Sequence, residues 1–348
     1  MKIAVITYHY SCNNGAVMQT YALCRFLREN GHKVSLIDIR QDEREKQPFI
    51  VKIVKFFIFG YRINQIVKKF YPALTKRYWT VDDLRKDPPE ADCYIVGSDQ
   101  VWNPAISKEQ MLAYFLDFGN DKVKRVSYAS SFGVSEWPIK DSDVTKKVQS
   151  LLARFDSLAV RENQGKLICK NTFGLDAKVV LDPTFLNYEY KEFNNGVKQT
   201  NEFVCYKLNR TDDFWQYTRE VGDIIGSKPL LLNYNYPKKG FVYCFPPSLR
   251  TWMRKLAGAK FILTDSFHGI AFSIINRKQF VVILNDDGKN SRLIDLMNTM
   301  GLQDRVFNSV KELLDNRSWL SPIDYTVLEP IIRKQIELSR TYLIEALK

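Results

Sequence analysis

Three histidines, His9, His32 and His268, are spread over 348 residues. Of these, His268 stands where chemistry is easiest to place. It lies in Phe261–Asn276, FILTDSFHGIAFSIIN, where one apolar run stops at Thr264-Asp265-Ser266 and a second begins after His268-Gly269. FIL reads as a short buried strand, and AFSII at helical spacing reads as a helix packed under it. In an open α/β sheet, ligands bind outside the carboxyl ends of the strands, and a helix N-terminus there offers N–H groups to an anion. An imidazole with an ordinary pKa of about 6.5 can give or take a proton at neutral pH. His9 ends the first strand, as a loop residue or a ligand contact, and His32 in the ENGHK turn reads as a solvated surface residue. The three are too dispersed for a metal site, so none is expected.

The same device, a short apolar run ending in polar residues, recurs along the chain. CYIV runs into Gly97-Ser98-Asp99-Gln100 before Trp102-Asn103-Pro104. Asp99 and Gln100 suit sugar hydroxyls and Trp102 suits a sugar face; the other reading makes Asp99 a cap and Trp102 core. KIAVIT ends near the Asn13-Asn14-Gly15 turn, SLAV delivers Arg161-Glu162, and AKVVL delivers Asp182-Pro183-Thr184. Asn290-Ser291-Arg292 opens a helix and so directs Arg292 to a cleft, with the helix N-terminus adding positive potential. Guanidinium donors match the paired oxygens of phosphate and carboxylate. Together these residues point to acid–base chemistry on a small anion held between two domains, with no covalent nucleophile required.

The elements that must position them alternate between strand and helix. KIAVIT reads as a first strand, Val17, Tyr21, Leu23, Cys24 and Leu27 form a helical stripe, Gly31 stops it, and KVSLIDI is a second strand. This β–loop–α–β start is that of a doubly wound α/β fold. The full GxGxxG pattern is absent, so a dinucleotide site is not expected. Composition turns polar between Asn187 and Glu202, which marks a boundary. FVCYKL, KPLLLNY, GFVYCF, AKFILTD and QFVVILN then read as strands of a second domain of the same class. The expected division is an N-terminal Rossmann-like domain over 1–190, a C-terminal one over 200–325, and an amphipathic helix over 326–348 that packs back on them.

Hydrophobic content of 45% and charged content of 26% are ordinary for a globular chain. A formal net charge of +12 favours anionic partners, but no nucleic-acid motif is present, so nucleic acid is not expected. Residues 46–81 hold eight Lys or Arg and no acid, interleaved with Ile, Phe, Tyr and Trp. They read as a basic amphipathic helical insertion that covers the first domain, or as a surface that leans on an anionic membrane or a lipid-linked substrate. The six cysteines are scattered singly, which fits reduced thiols of a cytosolic protein. MKIAVIT is too short for a signal peptide, and no run reaches the roughly 18 apolar residues of a spanning helix. The expected location is cytoplasmic, peripheral at the inner membrane face if the substrate is lipid-linked.

CNNGAVMQTYAL, GSDQVWNP, SYASSFG, AVRENQG, VLDPTFL, TDSFHGIAFSII and NSRLIDLMNTMGL follow one another in the order of the polysaccharide pyruvyl transferase family, which the chain resembles from Met1 to about Leu302. The resemblance implies two Rossmann-like domains facing across a cleft, similar to the B-type glycosyltransferases. It also implies transfer of pyruvate from phosphoenolpyruvate to a sugar of a surface polysaccharide or its lipid-linked precursor, as a ketal. By that resemblance His268 is catalytic and Arg161 holds the donor's anionic groups, joined by Arg292. Ser266 and Gly269 of the same hinge are read as donor contacts. Asn13, Asn14, Gly15, Gly97, Ser98, Asp99, Gln100 and Trp102 are assigned to the acceptor or cleft. Phosphoenolpyruvate is a substrate, and no cofactor is expected. Two alternatives use the same residues: a glycosyltransferase with a nucleotide-sugar donor, and a carbohydrate- or membrane-binding protein whose cleft is idle.

Overall fold

A computed structural model of the chain describes residues 1–11, 13–40, 61–232, 238–244, 247–286, 288 and 290–348, the side chains of 61–64 and 67 excepted. The chain divides into two compact units, Met1–Asn187 with Ile336–Lys348, and Tyr188–Gln335.

The first unit is built on five parallel strands, β1 (Lys2–Ile6), β2 (Lys33–Ile39), β3 (Ala73–Tyr78), β4 (Cys93–Val96) and β5 (Lys124–Ser127), in the order β3-β2-β1-β4-β5. A short parallel pair, β6 (Ala159–Val160) and β7 (Lys178–Val179), follows, tied to the main sheet by bridges from Ser130 to Val160 and from Val126 to Ser157. Strands covered on both faces need continuous apolar runs, and β1 and β4 have them, with Ile3–Ile6 and Cys93–Val96 buried. The principal helices are α1 (Asn14–Glu29), α2 (Tyr61–Phe70), α3 (Ser142–Leu152) and α4 (Asn163–Phe173). The Asn13 side chain accepts from Gly15 N and starts α1.

The second unit repeats the plan. Its strands are β8 (Phe203–Tyr206), β9 (Pro229–Leu232), β10 (Val242–Cys244), β11 (Phe261–Thr264), β12 (Gln279–Ile283) and β13 (Val306–Phe307), all parallel in the order β10-β9-β8-β11-β12-β13. Its principal helices are α5 (Asp212–Ile225), α6 (Leu249–Gly258), α7 (Phe267–Ile275) and α8 (Ser291–Thr299). The long helix α9 (Tyr325–Ala346) starts in this unit and ends among the residues grouped with the first. There Ser339 Oγ accepts from Leu181 N at 2.9 Å, and Tyr342 donates to Ser127 O at 3.1 Å. In both sheets the strand order reverses direction beside the first strand, β1 or β8. The crevice beyond the carboxyl ends there is where such folds take ligands.

One expectation needs correction. Residues 73–78, read as part of the helical insertion, form edge strand β3, paired with β2 from Ser35↔Ala73 to Ile39↔Tyr78. Pro72 stops α2, and Tyr78 turns into the core at 2% exposure. The even run of basic and aromatic residues hid that break. Residues 46–60 of the stretch lie, for 46–60 inclusive, outside the described residues. Among the described residues no helix is long and apolar enough to cross a membrane.

His9 is neither solvated nor open: it is 1% exposed, and its Nε2 lies 3.0 Å from Asp38 Oδ1. Arg40 reaches both oxygens of Asp38, at 2.6 and 3.1 Å, and Arg77 Nε lies 3.2 Å from Oδ2. Burial alone raises this carboxyl, but the hydrogen bonds from His9 and Arg40 outweigh it and hold Asp38 well below its ordinary 3.8. A carboxyl depressed in the folded state contributes stability that is present above its unfolded value and lost as pH falls through the folded one. In urea titrations between pH 7 and pH 2, the wild-type midpoint is therefore expected to fall on the acid side, below about pH 4, more steeply than that of Asp38→Asn.

Candidate functional site

In the second unit the segments after β8 and β11 meet at the switch point. Thr264 Oγ1 donates to Tyr206 O at 2.7 Å and accepts from Ser266 N at 3.0 Å, which turns the chain sharply out of β11. Ser266 then caps α7 by accepting from Gly269 N at 3.4 Å. The α7 N-terminus packs so closely on the strand end that a Cβ on Gly269 would lie 2.2 Å from Thr264 Oγ1 and 3.0 Å from the Tyr206 ring. Gly269→Ala is therefore expected to cost roughly 1–3 kcal/mol by overpacking, read as a lowered urea midpoint.

Asp265, fully buried, accepts from Leu208 N at 2.6 Å, from Asn209 N at 2.8 Å and from Lys207 Nζ at 3.2 Å. It thereby fastens the loop after β8 beside the start of α7. His268 occupies the second position of α7 at 6% exposure. Burial pushes the Tyr206 phenol up to about 12 despite hydrogen bonds with Ser266 and Trp252, so it stays protonated, with Arg210 near enough to act on it. Arg292 opens α8 and is partly exposed; the turn before it is closed by Asn290, whose side chain bonds Asn285 N at 2.9 Å and Asn285 O at 2.7 Å. A helix N-terminus, a hydroxyl, an imidazole and arginines, all present in this unit, are group types able to hold an anion and move a proton.

The first unit's switch point is chemically different. Ser98 follows β4 and is fully buried, its Oγ donating to Asp182 Oδ2 at 2.7 Å, while Thr7 donates to Ser98 O at 2.8 Å. Arg161, which the resemblance assigns to the donor's anionic groups, has a side chain 1% exposed, 3.2 Å from Asp182, 3.8 Å from Glu162 and 3.9 Å from Asp99. Asp182 reaches it from the turn after β7, a meeting that strand-end position alone does not reveal. Three carboxylates around one guanidinium make this crevice acidic. Glu162 also accepts from Ser131 Oγ at 2.7 Å.

Trp102 is corrected too. It is fully buried, donates from Nε1 to Tyr114 O at 2.9 Å, and stacks on Phe115 at 5.5 Å with Phe132 and Phe155 around it. It is core, with no face for a sugar. The Gln100 side chain accepts from Asn103 Nδ2 at 3.0 Å and fills the space above Gly133, whose φ of +66° brings the backbone under it. Asn13 is the α1 cap, Asn14 and Gly15 are buried in its first turn, and Gly97 packs on Leu23 and Thr7. Asp99 keeps a partly exposed carboxylate.

The loop Lys207–Arg210 was missed, although KLNR after the apolar FVCY is the same strand-end device as TDSFHG. Burial pushes the thiols of Cys24, Cys93 and Cys169 each up to about 12, so these are poor nucleophiles. Among the described residues no three or more His, Cys, Asp or Glu side chains are grouped to hold a metal ion.

Solved structures share the fold. The UDP-GlcNAc 2-epimerase from Neisseria meningitidis bound to UDP-GlcNAc is 10% identical, with a TM-score of 0.59 over 100% of this chain and 99% of that one. The UDP-GlcNAc 2-epimerase from Methanocaldococcus jannaschii is 13% identical, with a TM-score of 0.53 over 90% and 91%. The spinosyn forosaminyltransferase SpnP is 13% identical, with a TM-score of 0.50 over 100% and 98%. At such identities the likeness establishes a two-domain α/β fold of the glycosyltransferase and epimerase kind and nothing about substrate. No curated protein matches the sequence. The family model for polysaccharide pyruvyl transferase matches residues 13–287, and the chain belongs to that family.

Proposed function

We propose that the protein moves the pyruvyl group of phosphoenolpyruvate onto a saccharide as a ketal, with the donor held by the second unit. The observation behind this reading is the set of groups that the second unit gathers at its strand ends: His268, Ser266, the α7 N-terminus, Arg210 and Arg292. An anionic donor suits such a set.

Phosphoenolpyruvate becomes electrophilic at C2 once C3 is protonated. His268 supplies or relays that proton, and Arg292 and the helix N-terminus stabilise the carboxylate and phosphate. Arg161 has a positioning role in the first unit, holding the strand ends through Asp182, Asp99 and Ser98. We assign no metal to the step.

A second reading, a nucleotide-sugar donor, draws on the same anion-holding groups, and the UDP-GlcNAc enzymes share the fold. The deciding assay offers the protein phosphoenolpyruvate or a panel of uridine and guanosine diphosphate sugars, with surface polysaccharide stripped of its ketals by mild acid as acceptor. Phosphate release from phosphoenolpyruvate, undiminished by EDTA, is the expected result. Release of a nucleoside diphosphate, with none of phosphate, overturns the proposal.

A further inference from the structure

We infer that the groove between α3 and α4 of the first unit is a binding site for a stretch of saccharide that carries carboxylates, as a polymer already bearing pyruvyl ketals does. The choice of that occupant rests on the pyruvyl-transfer reading above; the existence of the groove does not. It is a recess of about 640 Å³ lined by α3, α4 and residues between 135 and 140. That volume falls within the range of ligand pockets, roughly 300–1,000 Å³.

Helical spacing builds one wall. Gln164, Leu167, Ile168, Asn171 and Thr172 recur at steps of three and four along α4, so they share a face and line about 12 Å of groove. The helix turns Gly165, Ile168, Cys169 and Phe173 to the core, which leaves Leu167 outside it at 48% exposure. An apolar side chain set among amides and a hydroxyl suits a sugar ring, whose faces are C–H and whose edges are hydroxyl. Trp137 is fixed by donation from Nε1 to Thr145 Oγ1 at 3.0 Å and by edge-on contacts with Phe173 and Phe132 at 5.2 and 6.0 Å. A wall that is rigid before binding lowers the ordering cost of binding.

The charge of the rim selects the occupant. Lys140 and Lys146 are exposed there and form no ion pair among the described residues. Other lysines of the same helices are committed: Lys147 pairs with Asp117 at 3.0 Å and Lys170 with Asp176 at 3.1 Å. Glu136 is the one acid among the described lining residues, so the groove is net positive. The side chains of Asn171 and Thr172 make no hydrogen bond among the described residues and keep their donors and acceptors for hydroxyls. A ketal leaves the pyruvyl carboxylate free on the sugar, and the lysine ammonium groups attract it. Modified polymer is thereby held more firmly than unmodified polymer.

Calorimetry compares surface polysaccharide with its ketals, the same polymer stripped by mild acid, and dextran sulfate as an unrelated polyanion. Wild type is set beside the double variant Lys140→Gln, Lys146→Gln and beside Leu167→Asp. All three positions are exposed, and a urea titration of each variant checks folding. The expected result is binding of the ketal-bearing polymer, weakened about fivefold or more by stripping it or by replacing both lysines. Leu167→Asp is expected to weaken it about tenfold, by removing apolar contact and adding a like charge. Variants that fold as wild type yet bind within about twofold of it overturn the inference, as does dextran sulfate bound as tightly as the ketal-bearing polymer. Phosphate release from phosphoenolpyruvate, assayed on the same wild-type preparation, separates the two readings. No release with groove binding intact removes the pyruvyl-transfer reading alone, whereas release with binding unaltered in the variants removes the groove alone.

Discussion

His268→Gln is expected to lower phosphoenolpyruvate-dependent phosphate release by about 10²- to 10⁴-fold, the range that one positioned acid or base contributes. Glutamine keeps a polar group in the same buried place but cannot carry the proton. Folding should survive, because α7 is started by Ser266 and held against Thr264 and Tyr206 through Gly269. Donor affinity should fall far less than turnover, since the proposed function assigns the anion chiefly to the helix N-terminus and Arg292. Parallel loss of turnover and turnover per donor affinity is the signature of a group used in the transition state. Steady-state phosphate release and calorimetry on the same preparation check it. A variant that turns over at the wild-type rate contradicts the role given to His268.

Asp182→Ala is expected to cost about 3–5 kcal/mol of stability, because removing one partner of a buried ion pair leaves the other uncompensated. The carboxylate serves more than Arg161. It also accepts from Ser98 Oγ, at 2.7 Å, and from Thr184 N and Oγ1, at 3.0 and 2.8 Å. One substitution therefore releases the ends of β4 and β6 and the turn after β7 together. A urea or guanidinium titration reads the loss as a lower midpoint. A midpoint within experimental error of wild type shows that Arg161 is held by other groups, and the acidic cluster then loses its central member.

The parts of this arrangement that the sequence disclosed are those written locally. FILTDSFHGIAFSII contains its strand, its cap and its helix in one stretch, and the chain builds β11 and α7 from it with Ser266 between them. The Asn13-Asn14-Gly15 turn into α1 and the alternation of strand and helix were legible in the same way. What periodicity does not carry is where a side chain goes after its strand ends. Arg161 and Asp99 both follow apolar runs, yet one is buried among carboxylates and the other keeps an exposed oxygen. That difference is set by Asp182, which is distant in sequence. Trp102 misled for a related reason, since polar neighbours in GSDQVWNP say nothing of the Phe115, Phe132 and Phe155 side chains that enclose it. The strand at 73–78 was concealed by composition, because basic and aromatic residues run without interruption through helix, proline and strand. His9 and Asp38 come together only because β1 and β2 are neighbours in the sheet.

The most direct test is calorimetric titration of the wild-type protein with phosphoenolpyruvate, beside the nucleotide-sugar panel and beside Arg292→Ala. The account predicts saturable binding of phosphoenolpyruvate, weakened in Arg292→Ala, and no comparable heat from any nucleotide sugar. Tight binding of a nucleotide sugar with none of phosphoenolpyruvate contradicts it, and His268 then serves a different reaction.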